Sequence, residues 1–318
     1  MQAIVLTKFG GPEVLEQRDV GQPSPGPGQL LVRVHASGTN PVDAKIRAAG
    51  GWAQITPPCV IGYDASGVIE ALGVGVSGFS RGDEVFFTPE IFGNVHGTYA
   101  ECALVEAAIV APKPKGLSHV EAAAVPLAGG TAFEAVVRRL SVRPGETLLI
   151  HGAAGGVGTF AVQLGKLCGA RVIGTASEPH HKLLRDLGAD VCIDYRKENV
   201  FERTLKETGG VGVDAVFDCV GGDHIQNSAQ CTKPFGRLAS ILGPKGDFTM
   251  LYLKNQTYHG VFMHREGARL KLLGNLLERK ALRPIIAETL PLSDVRKAHE
   301  RLDSGHGAGK IVLEVARG

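Results

Sequence analysis

Over the first 110 residues apolar positions gather in short runs: AIVLT (3–7), LLVRVHAS (30–37), ASGVIEAL (65–72), DEVFF (83–87) and YAECALV (99–105). Turn-forming clusters separate them, GQPSPGPGQ (21–29), TPPCVIG (56–62) and GVGVSGFSRGD (73–83). Runs of strand length bounded by Gly, Pro, Ser and Asp predict a small antiparallel barrel or sandwich. From about residue 119 the period changes. Strand-like runs TLLIHG (147–152), RVIGTA (171–176), VCIDY (191–195), DAVFDCV (214–220) and RLASILG (237–243) alternate with helix-length segments at 157–168, 180–187, 200–207 and 223–231. That alternation predicts a doubly wound parallel sheet with helices on its faces. A further strand at 257–263, a helix at 266–280 and a strand KIVLEV (310–315) complete the pattern.

Composition narrows the functional classes. At 318 residues the chain is long enough for about two domains of the usual ~150 residues. The formal charge of +2 is too small for an electrostatic footprint on nucleic acid, and no basic block stands out. Six cysteines at 59, 102, 168, 192, 219 and 231 contain no Cys-x-x-Cys pair, which removes zinc-ribbon and thioredoxin signatures. The N-terminus lacks a basic start followed by an apolar stretch, so a cytoplasmic protein with reduced cysteines is expected. The uncharged run 147–165 contains five glycines, His151 and Gln163, which argues against a membrane span. Glycine itself is in excess, 43 residues against a usual ~7%.

One concentration of that glycine has a chemical explanation. HGAAGGVG (151–158) follows an apolar strand and opens a helix, the context of a dinucleotide fingerprint, in which backbone amides at a helix N-terminus face a pyrophosphate. At the tip of the next strand, where an NAD site places an acidic residue, the chain has Gly174, Thr175, Ala176 and Ser177. Ser177 and Lys182, with His180 and His181, offer hydroxyl and cationic donors to a 2′-phosphate, so NADPH is the expected cofactor; Glu178 on the ribose is the alternative.

Beyond that turn, NPVDAKIR (40–47), PPCVIGYDASGVI (57–69), GFSRGDEV (78–85), AAAVPLAGGTAFEAV (122–136) and GAGKIVL (307–313) run in one order along the chain. Together with HGAAGGVG they resemble the medium-chain dehydrogenase/reductase superfamily, and within it the zinc-free quinone oxidoreductases of the zeta-crystallin type. The resemblance implies an α/β protein with a GroES-like β-barrel domain (1–122 with 283–318) and an inserted Rossmann domain (123–282). Zinc-containing members carry Cys after the strand matching LLVRVHAS and a Gly-His-Glu motif. This chain has ASGTN and Gly62-Tyr63-Asp64 there, so no metal is expected.

Without zinc, and with no tyrosine followed four residues later by lysine, a simple ketone would lack a strong polarising group. Quinones and α,β-unsaturated carbonyls are already electron-poor and need only weaker donors. The resemblance carries catalytic roles to Asn40, Asp43, Trp52, Tyr63 and Thr131, and cofactor contacts to Gly155, Gly156, Val157, Gly158, Tyr195, Gly221, Leu242, Phe262 and Lys310. Lys45 stands where some relatives have tyrosine. The expected activity is NADPH-dependent reduction of a quinone or similar activated acceptor in the interdomain cleft. A double-bond reductase of enoyl thioesters, alkenals or enones is the rival from the same superfamily, and a weakly catalytic NADPH-binding structural or regulatory protein the rival from another class. A homodimer formed through the edge of the Rossmann sheet is implied as well.

Overall fold

The computed structural model describes residues 1–315. They divide into two compact units: Met1–Leu127 with His264–Lys280 and the segment from Pro284 onward, and Ala128–Met263 with Ala281–Arg283.

The first unit opens with β1 (Gln2–Leu6), β2 (Leu15–Asp19), β3 (Gln29–Gly38), the helix α1 (Pro41–Ala49), β4 (Cys59–Val60), β5 (Ala65–Leu72), β6 (Glu84–Phe87), β7 (Cys102–Glu106), β8 (Val110–Pro112) and the short α2 (His119–Ala123). The ten-residue β3 is its organising strand, antiparallel to both β5 and β7. Its alternation buries Leu30, Val32 and Val34 against Ile69, Val85, Phe87 and Val105, while Arg33 faces out. A small sheet in the order β2-β1-β4 buries Ile4 and Leu6 in a second cluster with Ile46, Ile61, Tyr63 and Tyr99. The strand β2 (LEQRD) has one buried residue in five, so it carries no hydrophobic run for a sequence pattern to detect.

The second unit contains α3 (Pro126–Phe133, which begins just inside the first), β9 (Thr147–His151), α4 (Gly156–Leu167), β10 (Arg171–Thr175), α5 (His181–Asp186), β11 (Val191–Ile193), α6 (Val200–Glu207), β12 (Val213–Asp218), α7 (His224–Ser228), β13 (Thr232–Ser240), α8 (Thr249–Leu253) and β14 (Thr257–Gly260). Every strand pair is parallel, in the order β11-β10-β9-β12-β13-β14. This is the doubly wound order, with the first strand at the centre and successive strands added first on one side of β9 and then, from β12, on the other. Burial on both faces explains why LLIH of β9 reads as a continuous apolar run.

The chain then returns to the first unit with α9 (Gly267–Glu278), β15 (Ile286–Pro291), α10 (Val295–Ser304) and β16 (Lys310–Glu314). Strand β16 pairs antiparallel with β3 and parallel with β15, completing the sheet order β15-β16-β3-β5-β6-β8. The helix α9, assigned from sequence to the nucleotide domain, packs instead on β8. Gly267 lies so close to the Ala108 and Val110 carbonyls that a Cβ would sit 2.7 and 2.8 Å from them, and Glu278 accepts from the Lys115 amide at 2.8 Å. The strand expected over 257–263 pairs only through Gly260, and Phe262 beyond it is half exposed. Among the described residues no helix is long and apolar enough to cross a membrane.

Candidate functional site

Asn40 sits at the N-cap of α1, where extended backbone and the following Pro41 start the helix. Its backbone amide donates to Asp43 Oδ2 at 2.8 Å, closing the first turn. The Asn40 side chain is held on both sides: Nδ2 donates to Asp64 Oδ2 at 2.9 Å, and Oδ1 accepts from Lys310. The Lys310 ammonium also donates to the Thr39 carbonyl (2.8 Å) and to Asp64 Oδ2 (3.1 Å). Asp64 Oδ1 in turn accepts from the Leu127 amide at 2.7 Å. Asn40 and Lys310 are 4% exposed and Asp43 and Asp64 fully buried, so this is a desolvated polar cluster. Burial pushes the Asp64 carboxyl above its usual range, against the pull of Lys310, Asn40 and the Leu127 amide.

A second set of contacts runs outward from Asp43. Tyr99 donates its hydroxyl proton to Asp43 Oδ2 at 2.7 Å, His299 Nε2 lies 3.2 Å from that hydroxyl, and Arg47 Nη1 lies 3.1 Å from His299 Nδ1. Arg47 grips Asp303 at 3.0 and 2.8 Å and reaches the Gly10 carbonyl at 3.1 Å. Burial lifts Asp43 to about 7, although Tyr99, the Asn40 amide and Lys310 pull the other way. Burial and then Arg47 hold His299 at about 3, so it is a neutral imidazole. Two polar atoms in this region are fully buried without a partner, Asp43 Oδ1 and the Tyr63 hydroxyl. Each costs roughly 1–3 kcal/mol unless something bonds to it.

Of the other residues singled out in the first unit, Trp52 is 48% exposed and packs edge-on against Phe92 with ring centroids 6.2 Å apart. Lys45 is exposed on α1. A cavity of about 260 Å³ opens elsewhere in this unit, lined by Gln29, Phe92, His96 and Leu104, and includes no member of the Asn40–Asp43–Asp64 cluster.

In the second unit, the turn between β9 and α4 is shaped for close approach. Gly152 adopts φ +68°, and a Cβ on Gly158 would lie 2.3 Å from the Gly152 carbonyl oxygen. Gly155 caps α4, so the amides of Gly156, Val157 and Gly158 belong to the first turn, which has no intrahelical acceptors. These residues fit a dinucleotide pyrophosphate. At the neighbouring strand end Asp218 Oδ1 accepts from the amides of Val220 and Gly221, and Oδ2 from the Ser240 hydroxyl at 2.7 Å. Gly221 adopts φ +87° and packs on Leu242. Thr131 is the sixth residue of α3, nearly buried, with its hydroxyl 3.9 Å from the Met263 sulfur.

At the tip of β10, Ser177 caps a short 3-10 turn and is 8% exposed. Glu178 is ion-paired with Lys197, and Lys182 with Asp186 at 2.6 Å. Asp194 is occupied by the amides of Glu178 (3.2 Å) and Arg196 (2.9 Å). Tyr195 is half exposed, with the Arg196 guanidinium 5.7 Å from its ring centroid.

Sequence reasoning passed over Arg47, Tyr99, His299, Asp194, Arg196 and Asp218. A lone buried His or Tyr gives no spacing signal, and Asp218 was visible only as a position inside the strand DAVFDCV (214–220). Lys310 was expected at the cofactor; its ammonium is engaged within the first unit by Thr39, Asn40 and Asp64.

Comparison with known proteins agrees with both halves of this architecture. A family model described as an alcohol dehydrogenase GroES-like domain matches residues 26–115, and one described as a zinc-binding dehydrogenase matches residues 187–313. The chain is 34% identical to a quinone oxidoreductase of Lama guanicoe over 98% of this chain and 97% of that protein. It is 32% identical to a 2-haloacrylate reductase of a Burkholderia species over 98% of each. A solved structure described as an NAD-dependent alcohol dehydrogenase superposes with a TM-score of 0.92 at 35% identity, covering 99% of this chain and 100% of that one. Proteins of this kind bind a nicotinamide dinucleotide, consistent with the β9–α4 turn. The chain therefore belongs to the medium-chain dehydrogenase/reductase superfamily, among its quinone oxidoreductases.

Proposed function

We propose that this protein is a zinc-independent, NADPH-dependent reductase of quinones or similarly electron-poor acceptors. The observation that carries the reading is the buried cluster of Asn40, Asp43, Asp64 and Lys310. Where zinc-containing relatives have a histidine and an acidic residue, this chain has Tyr63 and an Asp64 already neutralised by the Lys310 ammonium. That donor set does not fit a divalent cation, and among the described residues no three His, Cys, Asp or Glu side chains converge on one point.

The nicotinamide dinucleotide supplies hydride when bound, and the protein's task is to orient it and receive the charge that develops on the acceptor. Two buried groups of the first unit keep a polar atom without a partner: the Tyr63 hydroxyl and the Asp43 carboxyl, which burial lifts to about 7. Asn40, whose side-chain nitrogen is already committed to Asp64 and whose backbone amide holds Asp43, is not itself the principal donor. In the second unit the amides of Gly156, Val157 and Gly158 hold the pyrophosphate, and Gly221 and Leu242 shape the strand ends beyond it.

Preference for NADPH rests on the β10 tip. Both nearby carboxylates are engaged, Glu178 by Lys197 and Asp194 by two amides, while Ser177, Lys182 and Arg196 remain to meet a phosphate. The Lys182–Asp186 pair is exposed and worth little, so a 2′-phosphate can take its place.

The test follows NADPH absorbance with chelator-treated protein and p-benzoquinone, with NADH in parallel. Turnover that survives chelation and favours NADPH supports the reading; loss of activity on chelation overturns it. The similarity to a 2-haloacrylate reductase favours one second reading, reduction of an activated carbon–carbon double bond. A saturated product from an enone or haloacrylate, with no quinone turnover, would establish it. A homodimer through the free edge at β14, near exposed Phe235, Tyr252 and Leu253, completes the proposal and is checked by sedimentation.

A further inference from the structure

We propose that Asp218 and His224 are positioning residues for the nicotinamide half of the dinucleotide: between them they hold, from both sides, the glycine turn 219–222 that follows β12. The proposal rests on the reading above for the adenosine half at the β10 tip, and on the geometry of the second unit alone for the rest.

A dinucleotide lies across the point where the strand order of a doubly wound sheet turns back, with one half on each side. In this sheet that point is between β9 and β12. With the pyrophosphate at the β9–α4 turn and the adenosine toward β10, the ends of β12 and β13 are left to the nicotinamide half. There Gly221 and Gly222 follow one another at φ +87° and +69°. Glycine loses more conformational freedom on folding than any other residue, so two in succession keep one shape only if other groups hold them.

Asp218 holds one side. Its carboxylate is fully buried and takes its hydrogen bonds from neutral groups: Oδ1 accepts from the Val220 amide at 2.9 Å and the Gly221 amide at 3.1 Å, and Oδ2 from the Ser240 hydroxyl at 2.7 Å. Ser240 Oγ accepts in turn from the Leu242 amide at 3.2 Å. Burying a carboxylate is costly unless its oxygens are satisfied, and here the donors come from the ends of both β12 and β13. The carboxylate therefore fixes how Gly221 stands against Leu242, a contact so close that a Cβ on Gly221 would lie 2.8 Å from Leu242 Cδ1.

His224 holds the other side. A carbonyl only accepts, so His224 Nδ1 carries the hydrogen that reaches the Gly221 oxygen at 2.6 Å. His224 opens α7, and Ser228, one turn later on the same helix, lies 2.8 Å from His151 Nε2. The His224 and His151 rings meet edge to face with centroids 4.9 Å apart, and His151 ends β9 directly before the glycine turn of α4. One short helix thus braces both turns along the crevice, and Asp218 acts through the backbone it holds.

Isothermal titration calorimetry on the full chain measures Kd for NADPH and for adenosine 2′,5′-bisphosphate, which carries the adenosine half alone. Asp218→Asn, which exchanges an acceptor oxygen for a donor, and His224→Leu are expected to raise Kd for NADPH about tenfold, the scale of one lost hydrogen bond, and to leave Kd for the bisphosphate within about twofold. His224→Asn, whose side-chain nitrogen takes the place of Nδ1, is expected to restore NADPH binding. Unchanged NADPH binding in Asp218→Asn and His224→Leu overturns the proposal. Equal losses for NADPH and the bisphosphate also overturn it, because they mark a merely structural role. His224→Asn that binds no better than His224→Leu overturns the part given to the His224 hydrogen bond. A wild type that prefers NADH, with the same split between NADH and AMP, removes the NADPH preference and supports the clamp. The titrations need no acceptor, so they stand whether or not the protein reduces quinones. If Asp218→Asn does not fold, the His224→Leu and His224→Asn pair decides alone.

Discussion

Lys310 Nζ lies 3.1 Å from Asp64 Oδ2, a pair of buried opposite charges 246 positions apart in sequence. Desolvating two ions is repaid only when each finds further partners, and here Asn40, the Thr39 carbonyl and the Leu127 amide provide them. Lys310→Met therefore leaves a buried carboxylate without its counter-ion and is expected to destabilise the protein by about 3–5 kcal/mol. Adding Asp64→Asn recovers part of that loss. Urea unfolding of the two single variants and the double variant measures the coupling, and additive losses would show that the pair does not act as a unit.

The turn before α4 gives a prediction about the cofactor. In Gly158→Ala the new methyl falls 2.3 Å from the Gly152 oxygen, which forces the pyrophosphate loop apart, whereas in Gly155→Ala it meets its nearest neighbour at 3.4 Å. NADPH affinity measured by fluorescence is expected to fall tenfold or more, about 1.4 kcal/mol, for Gly158→Ala. The Gly155→Ala variant should retain its thermal stability.

Cofactor choice can be separated from cofactor binding at the β10 tip. On the proposed NADPH reading, Ser177→Ala and Arg196→Ala each remove a donor from the 2′-phosphate and leave NADH untouched. A hydrogen bond to a charged group is worth roughly 1.5–3 kcal/mol, so KM for NADPH is expected to rise about ten- to a hundredfold while KM for NADH holds steady. Equal effects on both cofactors would place the phosphate elsewhere.

Acid should find the buried imidazoles. His151, bonded to Ser228 at 2.8 Å, and His299 are each held at about 3 chiefly by burial, against an ordinary value near 6.5. In the unfolded chain they take up protons below about 6.5, and in the folded chain they do not. Their contribution is therefore present above pH 6.5 and lost as pH falls toward 3, at up to about 1.4 kcal/mol per pH unit for each histidine. Chemical denaturation between pH 7 and pH 4 is expected to show a shallower acid loss in His151→Gln and in His299→Gln than in the wild type.

Much of this protein was legible in the order of its residues because the informative features are local. The run TLLIH followed by GAAGGVG encodes strand, turn and helix start within a dozen positions, and each segment acts through its own backbone. What escaped depends on contacts between distant segments. Tyr99 and His299 meet across 200 positions and Arg47 and Asp303 across 256, so no spacing rule links them. Lys310 stood out in GAGKIVL, yet only pairing of β16 with β3 determines that its ammonium faces Asp64. The edge strand β2 and the placement of α9 were hidden for a related reason, since exposed LEQRD and a helix of mixed surface take their positions from neighbours.

The position of β16 between β15 and β3 also sets an order of events during synthesis. The parallel sheet of the second unit has all its strands once Gly260 has left the ribosome, whereas β3 waits for residues 310–314 before its remaining edge is paired. A nascent chain thus holds a finished nucleotide fold inside an unfinished one, with an open strand edge available to chaperones or to other nascent chains. Until Lys310 arrives, Asp64 has no counter-ion in its pocket, so pairing of β16 with β3 and neutralisation of the buried cluster are a single step.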